Sequence, residues 1–185
     1  MADTNELEKK IGVEFKNKDL LLQALTHRSY LNENSGWHLD HNERLEFLGD
    51  AVLELVVTEY LYNNYTNPEG ELTSWRAALV NAVMLAKISE KINLNDYLLL
   101  SRGEARDTGR ARQYILANTV ESLIGAIYLD QGYNTTSKFI INFVLPELTP
   151  VLEDKAYRDY KSRFQEEAQD RAGVTPTYEV IKEWG

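Results

Sequence analysis

"HNERLEFLGDAVLEL", residues 41–55, sets three carboxylates, Glu43, Glu46 and Asp50, into an apolar run. Leu45, Phe47, Leu48, Ala51, Val52, Leu53 and Leu55 surround them, so the stretch otherwise has the composition of a buried segment. Its periodicity predicts one long helix over residues 42–63, ending in the turn-rich "NNYTNPEGE". On a helix, positions i, i+3 and i+7 share a face. Glu43, Glu46 and Asp50 have that spacing and Glu54 extends the row, while Leu45, Leu48, Val52 and Leu55 point elsewhere. Like charges so placed repel by about a few tenths of a kcal/mol per pair, which a solvated face tolerates. Taken alone, the row is compatible with ordinary surface.

A second stretch changes that reading. "ILANTVESLIGAIYLD", residues 115–130, is apolar almost all round, as a central helix must be. Yet Asn118 and Glu121 stand at i and i+3, with small Gly125 on the same side. A lone glutamate in so apolar a helix is costly to bury unless something pairs with it. A divalent cation held between two acid-bearing helices would answer for both stretches. Carboxylate and amide oxygens with water suit Mg²⁺, with Mn²⁺ as a substitute. Zinc is disfavoured: there is no cysteine, and of three histidines only His38 and His41 are close in sequence, in a polar loop.

The rest of the chain reads as helices. Thr4 or Asn5 can cap a first one, and residues 19–26 form a second. Residues 31–42 are polar and turn-rich, hence a loop. Thr73 can cap a helix running to residue 91, and "SRGEARDTGRAR" (101–112) is a charged, glycine-punctuated loop. The apolar helix spans 112–130 and stops at Gly132. Asn134 caps the next, to residue 153, which Pro146 should kink or break. Strand alternation comes only at 177–182, and weakly. Residues 1–153 are therefore expected to be an all-α domain and 154–159 a charged linker. Residues 160–185 offer one helix and one strand, too little to bury a core of their own. They read as the start of a second domain that the chain cuts short.

Composition narrows the function classes. The chain has 185 residues, 43% of them hydrophobic, enough for a real core. The acidic, polar start "MADTNELEKK" lacks the pattern of a secretory signal, and no apolar run reaches membrane-spanning length. A cytoplasmic protein is the expectation. A net charge of −9 argues, at face value, against a nucleic-acid partner.

"HNERLEFLGDAVL" resembles, nearly letter for letter, the signature of the ribonuclease III family of double-stranded-RNA endonucleases. "ALTHRSY" resembles the end of that family's N-terminal helix, and "EGELTSWRAALVN" the segment after its signature helix. "YILANTVESLIGAIYLDQGY" resembles its second acidic helix, and "DYKSRFQEEAQDRAGVTPTYEV" the opening of a double-stranded-RNA-binding domain. The motifs stand in the family's order and cover nearly the whole chain. The resemblance implies that Glu46, Asp50 and Glu121 hold a catalytic Mg²⁺, with Glu43 and Glu69 as accessory acids. It implies a homodimer, with Phe47 and Gly49 at positions used in the dimer interface and in close helix packing. Ser162, Gln165 and Glu166 match residues that touch the RNA minor groove. The implied reaction is phosphodiester hydrolysis of both RNA strands with a short stagger, leaving 5′ phosphates and 3′ hydroxyls. No small-molecule substrate and no membrane are implied.

One departure matters. The family's familiar pattern has Asp where this chain has Asn118, which offers one neutral carbonyl oxygen in place of two charged ones. Asn118 could still orient a metal-bound water. Changes of this kind cost roughly ten- to a hundred-fold in metal affinity or activity. An alternative is therefore a weak or inactive member that binds RNA without cutting it. The charge objection is met by the metal, which draws phosphate to the acids, and by local basic clusters. One comprises Arg102, Arg106, Arg110 and Arg112; the other comprises Lys155, Arg158, Lys161 and Arg163. A helical metal-storage bundle would need Glu-x-x-His pairs, and no helix supplies one.

Overall fold

The computed structural model describes residues 3–154 and 160–179. Helices dominate it, and the one extended pairing among the described residues is a parallel bridge between Thr26 and Leu99. The expected linker falls mostly on residues 155–159, outside the described ones, as does the end of the expected strand, 180–182. Residues 174–179 adopt neither helix nor strand. A strand needs a ladder partner, and the local alternation there supplies none.

Asp3 caps α1 (Thr4–Ile11), its carboxylate accepting the Asn5 amide at 3.0 Å. Asn17 caps α2 (Lys18–Ala24), and Asp130 grips its entry by accepting the backbone N–H of Lys16 and Asn17, both at 2.9 Å. The expected loop begins late, because α3 (Arg28–Glu33) occupies its start. Its cap is His27, whose Nδ1 accepts the Ser29 amide at 3.3 Å. Histidine is not among the usual capping residues, so propensity gives no warning.

Then comes α4 (Glu43–Asn64), close to the predicted span. Asn42 ties its start to α2: the Asn42 amide N–H donates to Thr26 O at 2.9 Å, and its side chain donates to Ala24 O at 3.3 Å. The predicted helix from Thr73 to residue 91 is in fact two, α5 (Glu69–Val80) and α6 (Ala82–Lys91). Thr73 lies inside α5, which starts after Pro68. Asn81 makes the break, closing both helix ends. Its Oδ1 accepts the Met84 amide at 2.9 Å, and its Nδ2 donates to Ala77 O and Ala78 O at 3.2 and 3.0 Å.

A 3₁₀ turn (Leu94–Tyr97) leads to α7 (Arg102–Arg106), a short helix inside the expected loop, capped by Ser101. Next is α8 (Arg110–Gln131), which stops at Gly132 with φ 75°. Gly132 also opens α9 (Tyr133–Phe143), so Asn134 lies inside the helix instead of capping it. Pro146 breaks the expected long helix, as predicted: a 3₁₀ turn (Leu145–Glu147) is followed by α10 (Leu148–Asp154). Beyond the expected linker, α11 (Tyr160–Ala172) runs where the sequence places a helix.

The axis of the fold is α8. It packs against α2, α4, α6 and α9, which buries Leu116, Ala117 and the continuous run Ser122–Ile127. A helix covered on all sides must be apolar on all sides. Its buried hydroxyls bond within the helix, Thr119 to Ile115 O and Ser122 to Asn118 O, each at 2.7 Å. Around it, Leu53, Val57, Leu79, Leu85, Ile88 and Phe139 complete the core. The α4 stretch is less buried than its composition implies. Phe47 is 82% exposed, Leu55 57% and Tyr62 76%, and with Ala51 they form an apolar stripe facing solvent.

Candidate active site

The site is built by the crossing of α4 and α8. A methyl group at Gly49 would lie 1.7 Å from the carbonyl oxygen of Glu121, and one at Gly125 would lie 2.2 Å from that of Leu45. Only glycine lets the two backbones meet like this. The contact brings the turn bearing Glu46 and Asp50 against the turn bearing Asn118 and Glu121. Gly49 is consequently buried between helices, the close helix packing expected at its position, which leaves the expected place in a dimer interface to exposed Phe47.

The carboxylates feel one another. Burial, then the charges of Asp50 and Glu46, push the Glu121 carboxyl up to about 7. Burial and the charge of Glu43 raise Glu46, a hydrogen bond with Asn118 opposes them, and Asp50 adds to the rise. Glu46, Asn118 and Glu121 are half-buried, while Asp50 is exposed. The result is an acidic patch at the crossing with one solvent-facing carboxylate and two set back.

A divalent cation suits this donor set by its chemistry. The atoms on offer are hard oxygens, and the charges of Asp50 and Glu46, which add to burial in raising Glu121, are ones a cation would offset. Among the described residues, however, no three Asp, Glu, His or Cys side chains converge into a finished metal-binding group.

The remaining predicted residues separate into groups. Glu43 opens α4 beside Arg28, at 3.3 Å, and His41 Nδ1, at 3.8 Å. It reaches the site through its effect on Glu46. Glu69 stands apart: it opens α5 and lines a groove of ≈ 430 Å³ with Thr58, Leu61, Tyr62, Leu72 and Arg76. It is not among the charges acting on Glu46 or Glu121. Arg102 and Arg106 are exposed on α7. Arg112 is buried, and its guanidinium donates to Asp107 O at 3.1 Å and to Glu104 O. It pins the loop, so the basic cluster expected there loses one member to structure. Arg110 lies over the Tyr114 ring, 5.8 Å from its centroid. In α11, Gln165 is half-buried; the side chains of Ser162, Glu166, Lys161 and Arg163 lie outside the described ones, as do Lys155 and Arg158 entirely.

Sequence reasoning passed over Ser122. Its buried hydroxyl sits 2.7 Å from Asn118 O and 3.4 Å from Asn42 O, linking the start of α4 to the site turn of α8. The available signal was a small polar residue four positions after Asn118 in an otherwise apolar helix.

Comparison with known proteins gives a consistent result. Residues 17–148 match the family model described as Ribonuclease-III-like. The chain is 48% identical to the Ribonuclease 3 of Natranaerobius thermophilus over 184 residues, 99% of this chain and 79% of that one. It is 44% identical to the Ribonuclease 3 of Clostridium acetobutylicum over 181 residues, 97% and 78% of the two chains. Among solved structures, the nuclease domain of ribonuclease III from Campylobacter jejuni superposes with a TM-score of 0.71 at 41% identity. That match covers 78% of this chain and 97% of the other, a domain with structural flexibility in its region involved in dimer formation.

Proposed function

This chain belongs to the ribonuclease III family, and from that premise we propose that it is a metal-dependent endonuclease of double-stranded RNA. The observation that carries the reading is the glycine-mediated crossing, which sets Glu46 and Asp50 of α4 against Glu121 of α8. Glu46, Asp50 and Glu121 would hold Mg²⁺, or Mn²⁺ in its place, with the side-chain oxygen of Asn118 beside them. When bound, the ion polarises the scissile phosphate, acidifies a water and offsets charge on the leaving oxygen. The protein's own part is placement. The rigid crossing fixes Glu121 and Glu46, exposed Asp50 faces the incoming backbone, and Glu43 tunes the charge on Glu46. Cutting leaves 5′-phosphate and 3′-hydroxyl ends.

The same reading makes the chain a homodimer. The stripe of Phe47, Ala51, Leu55 and Tyr62 offers a second copy an apolar face that a solitary subunit would leave in water. Two sites related by a two-fold axis account for a staggered cut of both strands. Glu69, set apart from its own subunit's acids, would contribute to a cleavage centre from across that interface. RNA is gripped by shape and backbone: Arg102 and Arg106 supply charge, and Ser162, Gln165 and Glu166 are the positions that would meet the minor groove. Residues 160–185 are the opening of a double-stranded-RNA-binding domain following a nuclease domain at 1–153. The cytoplasm, where RNA precursors meet such an enzyme, is its place of action. Among the described residues no helix is long and apolar enough to cross a membrane.

The test is cleavage of end-labelled double-stranded RNA in Mg²⁺ or EDTA. Metal-dependent fragments with short 3′ overhangs are expected, and Glu121→Gln should abolish them while RNA still binds. Full cleavage in EDTA, or by the Glu121→Gln protein, would overturn the assignment.

A further inference from the structure

The four arginines of residues 101–112 do not share a surface. Arg102 and Arg106 stand on α7, and Arg112 is buried against the loop it pins. Arg110 opens α8 and is exposed. At about 100° per residue, positions 110, 114, 118 and 121 fall within one arc of roughly 80° on that helix. Arg112, Leu116, Thr119 and Leu123, all buried, lie on the opposite arc. Arg110 and Tyr114 therefore continue the face that carries Asn118 and Glu121. At roughly 1.5 Å per residue, Tyr114 stands about 6 Å and Arg110 about 12 Å from Asn118 along the helix axis. The two side chains are joined: the Arg110 guanidinium lies over the Tyr114 ring, 5.8 Å from its centroid, and its Nη2 donates to the Tyr114 hydroxyl at 3.3 Å. Among the described residues no carboxylate pairs with Arg110, so its charge stays unneutralised. Tyr114 is 48% exposed. Beside the pair lies a notch of ≈ 60 Å³ whose other walls are Ala82, Val83 and Gln113, too small to take a nucleobase.

We propose that Tyr114 and Arg110 form a backbone-binding ledge for the strand being cut: the ring holds the guanidinium along the face of the site, and the guanidinium takes a phosphate flanking the scissile one. The acids at the crossing repel the phosphates on either side of the cut. A fixed cation one to two turns along the same face offsets that repulsion where the strand leaves the site. Arginine suits the task because its planar fork matches phosphate and its flat face stacks on a ring, which restricts the guanidinium before RNA arrives. The Tyr114 hydroxyl accepts from Arg110 and keeps its own proton to donate to a phosphate oxygen or a 2′-hydroxyl. Contacts of this kind set the register of the duplex without reading its sequence. The ledge rests on the reading of the chain as a double-stranded-RNA endonuclease and adds to it Tyr114, a residue that neither the acids nor α7 accounts for.

The experiment is titration of labelled double-stranded RNA with the full chain in EDTA, at several salt concentrations. Arg110→Ala should weaken binding about five- to tenfold and make the slope of log affinity against log salt shallower by about one. Tyr114→Ala should weaken it about threefold. The double variant should lose little more than Arg110→Ala alone, because the ring acts through the guanidinium. Lys138→Ala, which removes one exposed charge from α9, should stay within about twofold of the wild type. All four variants should melt within about 1 °C of the wild type. Losses that simply multiply in the double variant, or an Arg110→Ala protein that binds as well as Lys138→Ala, would overturn the ledge while wild-type cleavage in Mg²⁺ still upheld the endonuclease. A wild type that neither binds nor cuts double-stranded RNA in Mg²⁺ would overturn the endonuclease reading and the ledge with it.

Discussion

Replacing Gly49 with alanine probes the crossing on which the site depends. The new methyl would start 1.7 Å from the Glu121 carbonyl oxygen and 2.8 Å from the Gly125 amide nitrogen. Both are backbone atoms, so no side chain can swing away. Ordinary contact begins at 3.4 Å, and α4 must retreat from α8 by roughly 1.5 Å to reach it. Overpacking of this kind costs about 1–3 kcal/mol or more, and alanine's better helix propensity returns about 1 kcal/mol. At roughly 2–4 °C per kcal/mol, a net cost of up to about 2 kcal/mol should lower the melting temperature by up to about 8 °C. Function should suffer more. Glu46 and Asp50 ride on the displaced segment, and a misplacement of about 1 Å can cost on the order of a hundred-fold in rate. Cleavage of double-stranded RNA, measured well below the variant's melting point, should fall by about that factor. Gly36→Ala is the control, with nothing within 4 Å of the added methyl. If Gly49→Ala matched Gly36→Ala in both melting and cleavage, the close crossing would not be what builds the site.

Three further outcomes follow from particular contacts. Burial disfavours an ionised Glu147, but hydrogen bonds from Lys87 and Lys91 outweigh it and hold its carboxyl below the ordinary range. A lowered carboxylate stabilises the fold above the ordinary pKa and loses that contribution as pH falls through the lowered one. The melting difference between wild type and Glu147→Gln should therefore be about 1–2 kcal/mol at pH 7, discounted for half-exposed lysines, and should vanish toward pH 3; a constant difference would refute it. Phe47→Ser should shift the chain toward monomer in sedimentation velocity while changing unfolding by no more than about 0.5 kcal/mol, since the ring is 82% exposed; an undiminished dimer would move the interface elsewhere. Arg112→Ala should destabilise the fold by about 1–3 kcal/mol by stripping two carbonyls of their donor. Arg102→Ala should leave melting alone and instead weaken RNA binding with a shallower salt dependence, and equal effects of the two on melting would contradict the division drawn here.

The sequence by itself determined what depends on near neighbours along the chain. Apolar spacing predicted α4 and α8 to within two residues at each end, Gly132 ended α8, and Pro146 broke the last long helix. Glu46, Asp50 and Glu121 stood out because acids are unexpected in apolar helices. Capping was half legible: Asn81, a favoured capping type, divides α5 from α6 inside a continuous apolar pattern, whereas His27 starts α3 although histidine is not a usual cap. Tertiary structure decided which face of each helix met another. Composition suggested buried Phe47 and Leu55, yet the partners of α4 lie on its opposite side and leave both in solvent. It decided that Gly49 serves the helix crossing, that Arg112 turns inward, and that Glu69 keeps away from the other acids. The physical reason is one of range. Helix formation answers to residues three or four positions away, whereas a shared electrostatic site and the close approach of two backbones depend on atoms more than seventy positions apart, which only packing brings together.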